Sequence, residues 1–162
     1  MSNTSSPLNI RAIRKERSNL WTFSYSSIFA SANHIRMVSD IIKNVLAVGA
    51  GSFIGGAARY LVGLIMKGIG KGFPWATLTV NLAGCFIIGL LWGVFSKNGT
   101  EGSNWALFLT VGLCGGFTTF STFSKEALIM LQGGNTWGFA GYVAISVIAG
   151  IALVALGYSI VR

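Results

Sequence analysis

Residues 112–126, Gly-Leu-Cys-Gly-Gly-Phe-Thr-Thr-Phe-Ser-Thr-Phe-Ser-Lys-Glu, sit in the middle of a long apolar segment. A backbone that crosses hydrocarbon has to satisfy its own hydrogen bonds. Paired glycines followed closely by paired threonines continue a helix poorly, because glycine is entropically costly there and threonine is β-branched. From Phe117 to Ser124 the side chains are then all phenyl rings or hydroxyls. Irregular backbone at membrane depth is tolerated only where it is buried in protein or lines a polar path. The segment therefore predicts a broken membrane helix beside an ion or solute pathway.

Four apolar segments frame this stretch: about Val45–Met66, Trp75–Phe95, Trp105–Leu131 and Trp137–Val161. Each reaches or exceeds the roughly 20 residues that cross a bilayer core. The connections carry turn chemistry. Lys67 to Pro74 is rich in Gly and Lys, Ser96 to Asn104 is polar, and Gln132 to Thr136 holds Gly133-Gly134-Asn135. Trp75, Trp105 and Trp137 each open a span, as an aromatic belt requires. The expectation is an all-α membrane protein of four transmembrane helices with the third broken.

The amino-acid content narrows the function classes. Charged residues make up 10% of the chain, against about 25% in soluble domains. The two cysteines, Cys85 and Cys114, lie inside apolar runs as buried thiols, without disulfide or metal spacing. The single histidine, His34, has no ligand set around it. No nucleophile–base or metal constellation can be assembled, so the chain is not expected to be an enzyme. The net charge of +8 does not indicate nucleic-acid binding. Arg11, Arg14, Lys15, Arg17 and Arg36 crowd the first 36 positions, and the rest flank apolar spans where cations snorkel.

Residues 1–36 are Ser- and Asn-rich and fit no span; Trp21 to Ala32 is too short and too polar to cross. A signal peptide or an interfacial helix is one reading. The preferred one is an N-terminal extension, disordered or an upstream mis-start, with Met37 as the natural beginning of a 37–162 domain. From Met37 onward one side of the membrane receives Lys43, Lys97 and Arg162 and the other receives Lys67 and Lys71. Such a balance gives almost no positive-inside signal and is compatible with insertion in both orientations. The basic N-terminal extension would push copies toward one orientation.

Three stretches together resemble the CrcB/Fluc family of fluoride channels: Gly55-Gly56-Ala57-Ala58-Arg59-Tyr60, then Thr77-Leu78-Thr79-Val80-Asn81-Leu82-Ala83-Gly84, and Gly115-Gly116-Phe117-Thr118-Thr119-Phe120-Ser121-Thr122-Phe123-Ser124. The resemblance covers about residues 40–160 and leaves residues 1–36 without a counterpart. It implies an antiparallel, dual-topology homodimer with two pores, in the plasma or inner membrane. It also implies a structural Na+ at the dimer centre, held by backbone carbonyls of the broken helix, here those of Gly115 and Thr118.

The residues keep their own reading beside that resemblance. Fluoride is small and strongly hydrated, so a pore has to replace its water with hydrogen-bond donors or positive edges. Asn81 offers an amide NH2 in the second span, with Thr77 one turn earlier, although an intramembrane Asn also serves as interhelical glue. Phe120 and Phe123 share a helix face and carry positive ring edges, or simply pack. Ser121 and Ser124 form a second such pair, and Tyr142 and Ser146 a third, the expected hydroxyl track stopping at Gly150. Arg59 snorkels or draws anions into a vestibule. Lys125 and Glu126 close the motif as an interfacial or salt-bridged pair. The pairs Gly51/Gly55, Gly89/Gly93 and Gly112/Gly116 predict close helix packing.

The implied function is passive fluoride efflux that relieves its toxicity, with fluoride, the bilayer and a second copy as partners. Hydrogen fluoride enters as a neutral acid and dissociates in the more alkaline interior, leaving the anion trapped. There is no phosphate-binding loop for an ATP-driven pump. A small proton-coupled four-helix exporter is the first alternative, but Val45–Met66 holds no carboxylate. A non-transporting membrane assembly subunit is the second.

Overall fold

The computed structural model describes the backbone of residues 10–70 and 72–162, and the side chains of residues 31, 33–70 and 72–162. The described elements are helical: α1 (Ile10–Ile65), α2 (Trp75–Lys97), α3 (Asn104–Ala106), a π-helical stretch Leu107–Cys114, α4 (Gly115–Phe117), α5 (Phe120–Gln132) and α6 (Thr136–Val161). Among the described residues, four helical segments are long and apolar enough to cross a membrane: Asn33–Ile65, Trp75–Lys97, Asn104–Gln132 and Thr136–Val161. The last three lie within a few residues of the expected spans. The first expected span, about Val45–Met66, lies at the C-terminal end of the longer helix α1. Within the expected extension, residues 10–36 have helical backbone, and residues 1–9 lie outside the described part.

The chain divides into two units, Met1–Ile42 and Lys43–Arg162. In the first, the described side chains at Ile35, Met37 and Ile41 are exposed. The second unit carries the four-span architecture. Its helices pair in parallel, first with third and second with fourth, as an up-down-up-down chain requires. Gly51 fits against the backbone of Phe108, Gly112 and Leu113, and Gly55 against that of Leu113 and Phe117. A Cβ built on Gly116 would stand 2.8 Å from the Ser52 Cα. In the other pair Gly89 meets the Val154 backbone, Gly93 meets Tyr158, and Gly157 reciprocates against Phe86 and Leu90. The glycine pairs singled out in the sequence therefore mark the lines where backbones touch.

Apolar side chains such as Phe53, Leu61, Ile148 and Ile151 cover the outside, as suits a lipid-facing surface rather than a water-facing one. A small buried cluster of Leu78, Phe123, Ala127, Met130 and Tyr142 holds α2, α5 and α6 together. The second and third connections turn on left-handed glycines, Gly99 at φ 61° and Gly134 at φ 77°. The third span is broken as expected, at the threonines of the Gly-Gly-Phe-Thr-Thr stretch. Gly115 and Gly116 stay helical, and the chain leaves the helix at Thr118 (φ −79°, ψ 157°) and Thr119 (φ −150°, ψ 113°). The π-helical turn before it had no signature in the sequence.

Candidate functional site

The break is the organising feature. Helical backbone before it ends at Phe117 and resumes at Phe120, so two helix ends meet inside one span. Their unpaired groups find specific partners. Cys114 O accepts from both Thr118 N (3.0 Å) and Thr118 Oγ1 (3.0 Å). Gly116 O accepts from Arg59 Nε of α1 at 3.1 Å. The new helix is capped by Thr119, whose hydroxyl accepts from Thr122 N at 3.3 Å.

Asn81 of α2 closes the gap. Its Nδ2 donates to Thr119 O at 3.2 Å, and its Oδ1 accepts from Thr119 N at 2.8 Å. An amide presents the same donor and acceptor pair as a peptide group, which is why asparagine can replace the missing turn of helix. The bond to Thr119 O uses one of the two Nδ2 hydrogens.

Beside this junction lies a cavity of about 330 Å³, bordered by Asn81, Phe120, Phe123 and Ser146 together with Gly115, Thr118 and Thr119 at the break. Phe120 is 79% exposed and Phe123 only 9%, with ring centroids 5.7 Å apart. The Ser146 hydroxyl is buried with no hydrogen-bond partner among the described residues. A second cavity of about 420 Å³ is lined by Arg59, Lys67, Thr77, Thr122 and Glu126, and shares Thr119 with the first. In the second cavity, Glu126 is held by hydroxyls. Thr77 Oγ1 donates to its Oε1 at 2.9 Å and Tyr142 OH donates to its Oε2 at 2.9 Å.

Residues 46–158 match the family described as CrcB-like protein, Camphor Resistance (CrcB). This chain belongs to the CrcB family. The protein named fluoride-specific ion channel FluC in Desulfotalea psychrophila is 42% identical over 121 residues, 75% of this chain and 94% of that protein. The FluC of Methylobacterium nodulans is 44% identical over 119 residues, covering 74% and 96% respectively. That of Azobacteroides pseudotrichonymphae is 43% identical over 119 residues, covering 73% and 95%.

In this CrcB protein the residues expected at the site do not all gather in one place. Asn81, Phe120, Phe123 and Ser146 share the first cavity with Gly115 and Thr118, while Thr77 and Arg59 line the second. Tyr142 is fully buried and directed at Glu126, so it stands one layer behind the cavity wall. Ser121 and Ser124 are exposed; Ser124 donates back to Phe120 O at 2.9 Å, and Ser121 lies 3.4 Å from the Thr119 hydroxyl. Arg59 is tethered to the break rather than snorkelling freely. Both oxygens of Glu126 are taken by hydroxyls from α2 and α6, where a partner in Lys125 or the interface was expected. The part played by Thr119 was missed, and no local pattern announces it.

Proposed function

We propose that this chain is a fluoride channel that lets the anion leave the cytoplasm passively. The observation that carries the reading is the meeting of Asn81 from α2, Phe120 and Phe123 from α5 and Ser146 from α6 at one cavity beside a helix break. The FluC relatives, matched over more than nine-tenths of their length, support it. Fluoride sheds water only if donors replace it. The Nδ2 hydrogen of Asn81 not engaged by Thr119, the unpartnered Ser146 hydroxyl and the positive ring edges supply such groups. The helix that resumes at Phe120 adds the positive end of its dipole. Fixed donors in a narrow passage favour the smallest anion.

The finer reading is an antiparallel, dual-topology homodimer in the plasma or inner membrane, with two pores at its interface. It is supported by the outward exposure of Phe120, which leaves the cavity open on one side, and by the near balance of cations from Met37 onward. A structural Na+ fits the donor chemistry at the break. Gly115 and Thr118 stand where the first half-helix ends, so their carbonyls lie at the negative end of a dipole. Hard carbonyl oxygens suit such a cation, which would hold the break, and two copies, together.

Full-length protein in liposomes, read with a fluoride electrode, tests the reading. The expected result is rapid fluoride release without chloride release and without a proton gradient, abolished by replacing Asn81 or Phe120. Release that depends on a proton gradient would indicate the exporter. No release from folded protein, with the substitutions altering stability alone, would indicate an assembly subunit.

A further inference from the structure

The cavity beside the break has a second chemistry that fluoride passage does not use. Its wall contains both cysteines of the chain, Cys85 from α2 and Cys114 from the end of the π-helical stretch. Both are free thiols; Cys85 is half-buried and Cys114 is 2% exposed. Cys85 follows Gly84, which packs against Thr118, and Thr118 N bonds to the Cys114 carbonyl. Gly150 of α6 lies beside Cys85, where a Cβ would stand 3.4 Å from the sulfur, an ordinary contact. Ser146 borders the same cavity, and its hydroxyl oxygen is buried without a hydrogen-bond partner among the described residues.

We propose that Cys85 and Cys114 together form a site for a soft monovalent cation, silver(I) or copper(I), whose binding closes the anion path. The blocking half of this inference rests on the fluoride-channel reading; the binding half does not. Two thiolates decide the class of ion. Thiolate ligands select soft metals over the hard alkali and alkaline-earth cations. Structural zinc takes four ligands, whereas among the described residues no three of His, Cys, Asp and Glu stand together. Monovalent coinage-metal ions are satisfied by two sulfurs in line. On binding, two S–H bonds break, two sulfur–metal bonds form and two protons leave to the buffer, with no electron transferred. The bound unit then carries one net negative charge. It occupies the cavity that holds Asn81 and Phe120, and it repels an incoming anion.

The test uses full-length protein, silver nitrate and chloride-free nitrate buffer. Silver retained after gel filtration is counted by elemental analysis, and fluoride efflux is recorded on the same samples. The expected result is one tightly held silver per chain, with efflux falling to the protein-free leak. Cys85→Ser and Cys114→Ala should each lose the tight site and keep their own metal-free flux in the presence of silver. Because Cys114 lies in the interior, Cys85→Ser alone suffices if the other variant does not fold. Two silvers per chain, or undiminished retention in Cys85→Ser, would overturn the shared site. One silver per chain with unchanged efflux would overturn the block. A chain that binds silver but never conducts fluoride would instead refute the channel reading and leave the site standing.

Discussion

Asn81 and Thr119 exchange two hydrogen bonds across the gap in the third span, Nδ2 to the carbonyl at 3.2 Å and the backbone N–H to Oδ1 at 2.8 Å. One side chain thus substitutes for the helical bonds that the break forfeits, and it borders the cavity while doing so. Asn81→Ala should remove both functions at once. Two backbone groups lose their partners, each costing about 1–3 kcal/mol when buried. Asn81→Asp keeps the acceptor for Thr119 N–H but loses the donor, so it should recover part of the stability and little of the flux. Thermal unfolding in detergent, set beside liposome efflux for both variants, separates the two effects.

The glycine contacts make a prediction with an internal control. A Cβ on Gly55 would run into the Leu113 carbonyl, whereas one on Gly63 meets nothing within 4 Å on the same helix. Gly55→Ala should therefore lower stability by about 1–3 kcal/mol, because the obstruction is backbone and cannot rotate away. Gly63→Ala should be neutral or gain up to about 1 kcal/mol from helix propensity. Equal unfolding midpoints for the two variants would contradict the close approach of α1 to the third span.

Glu126 offers a test of coupling. Thr77 and Tyr142 reach its two oxygens from different helices, both at 2.9 Å. Hydrogen bonds to a charged group are worth about 1.5–3 kcal/mol, more than neutral ones. Thr77→Val and Tyr142→Phe should each destabilise by about that amount. Since they share one carboxylate, the double variant should depart from the sum by at least about 0.5 kcal/mol. Additive losses would mean that the two hydroxyls act separately.

How much of this was legible beforehand depends on the kind of signal. Spans two to four were readable because apolar length and opening tryptophans are local properties, and the structure moves their ends by only a few residues. The glycine pairs were readable for the same reason. The break was foreseen within the Gly-Gly-Phe-Thr-Thr stretch, and the structure narrows it to its second half: Gly115-Gly116 remain helical while Thr118-Thr119 are extended. The partner that satisfies the extended backbone there is Asn81, a residue 38 positions away from Thr119 in sequence. The tie between Glu126 and Tyr142 was equally hidden, because a carboxylate in a span announces a need for donors but not their address. Arg59 shows the same limit, its partner being a carbonyl 57 positions on.

Phe120 and Phe123 look alike in the sequence and differ sharply in place. Phe123 is 9% exposed, packs 5.0 Å from the Tyr142 ring and belongs to the buried cluster; Phe120 is 79% exposed at the mouth of the cavity. Truncating Phe123 to Ala should cost about 3–5 kcal/mol through lost burial and an unfilled cavity. Truncating Phe120 removes chiefly its contact with Phe123, about 0.5–1.5 kcal/mol for an aromatic pair. Flux should rank them differently. Under the channel reading, Phe120→Ala takes a positive ring edge from the path and abolishes fluoride efflux in protein that still unfolds near the native midpoint. Phe123→Leu keeps much of the buried volume, so it should unfold closer to native than Phe123→Ala and report the ring's own part in conduction. Efflux that follows stability alone across these three variants would assign both rings to packing.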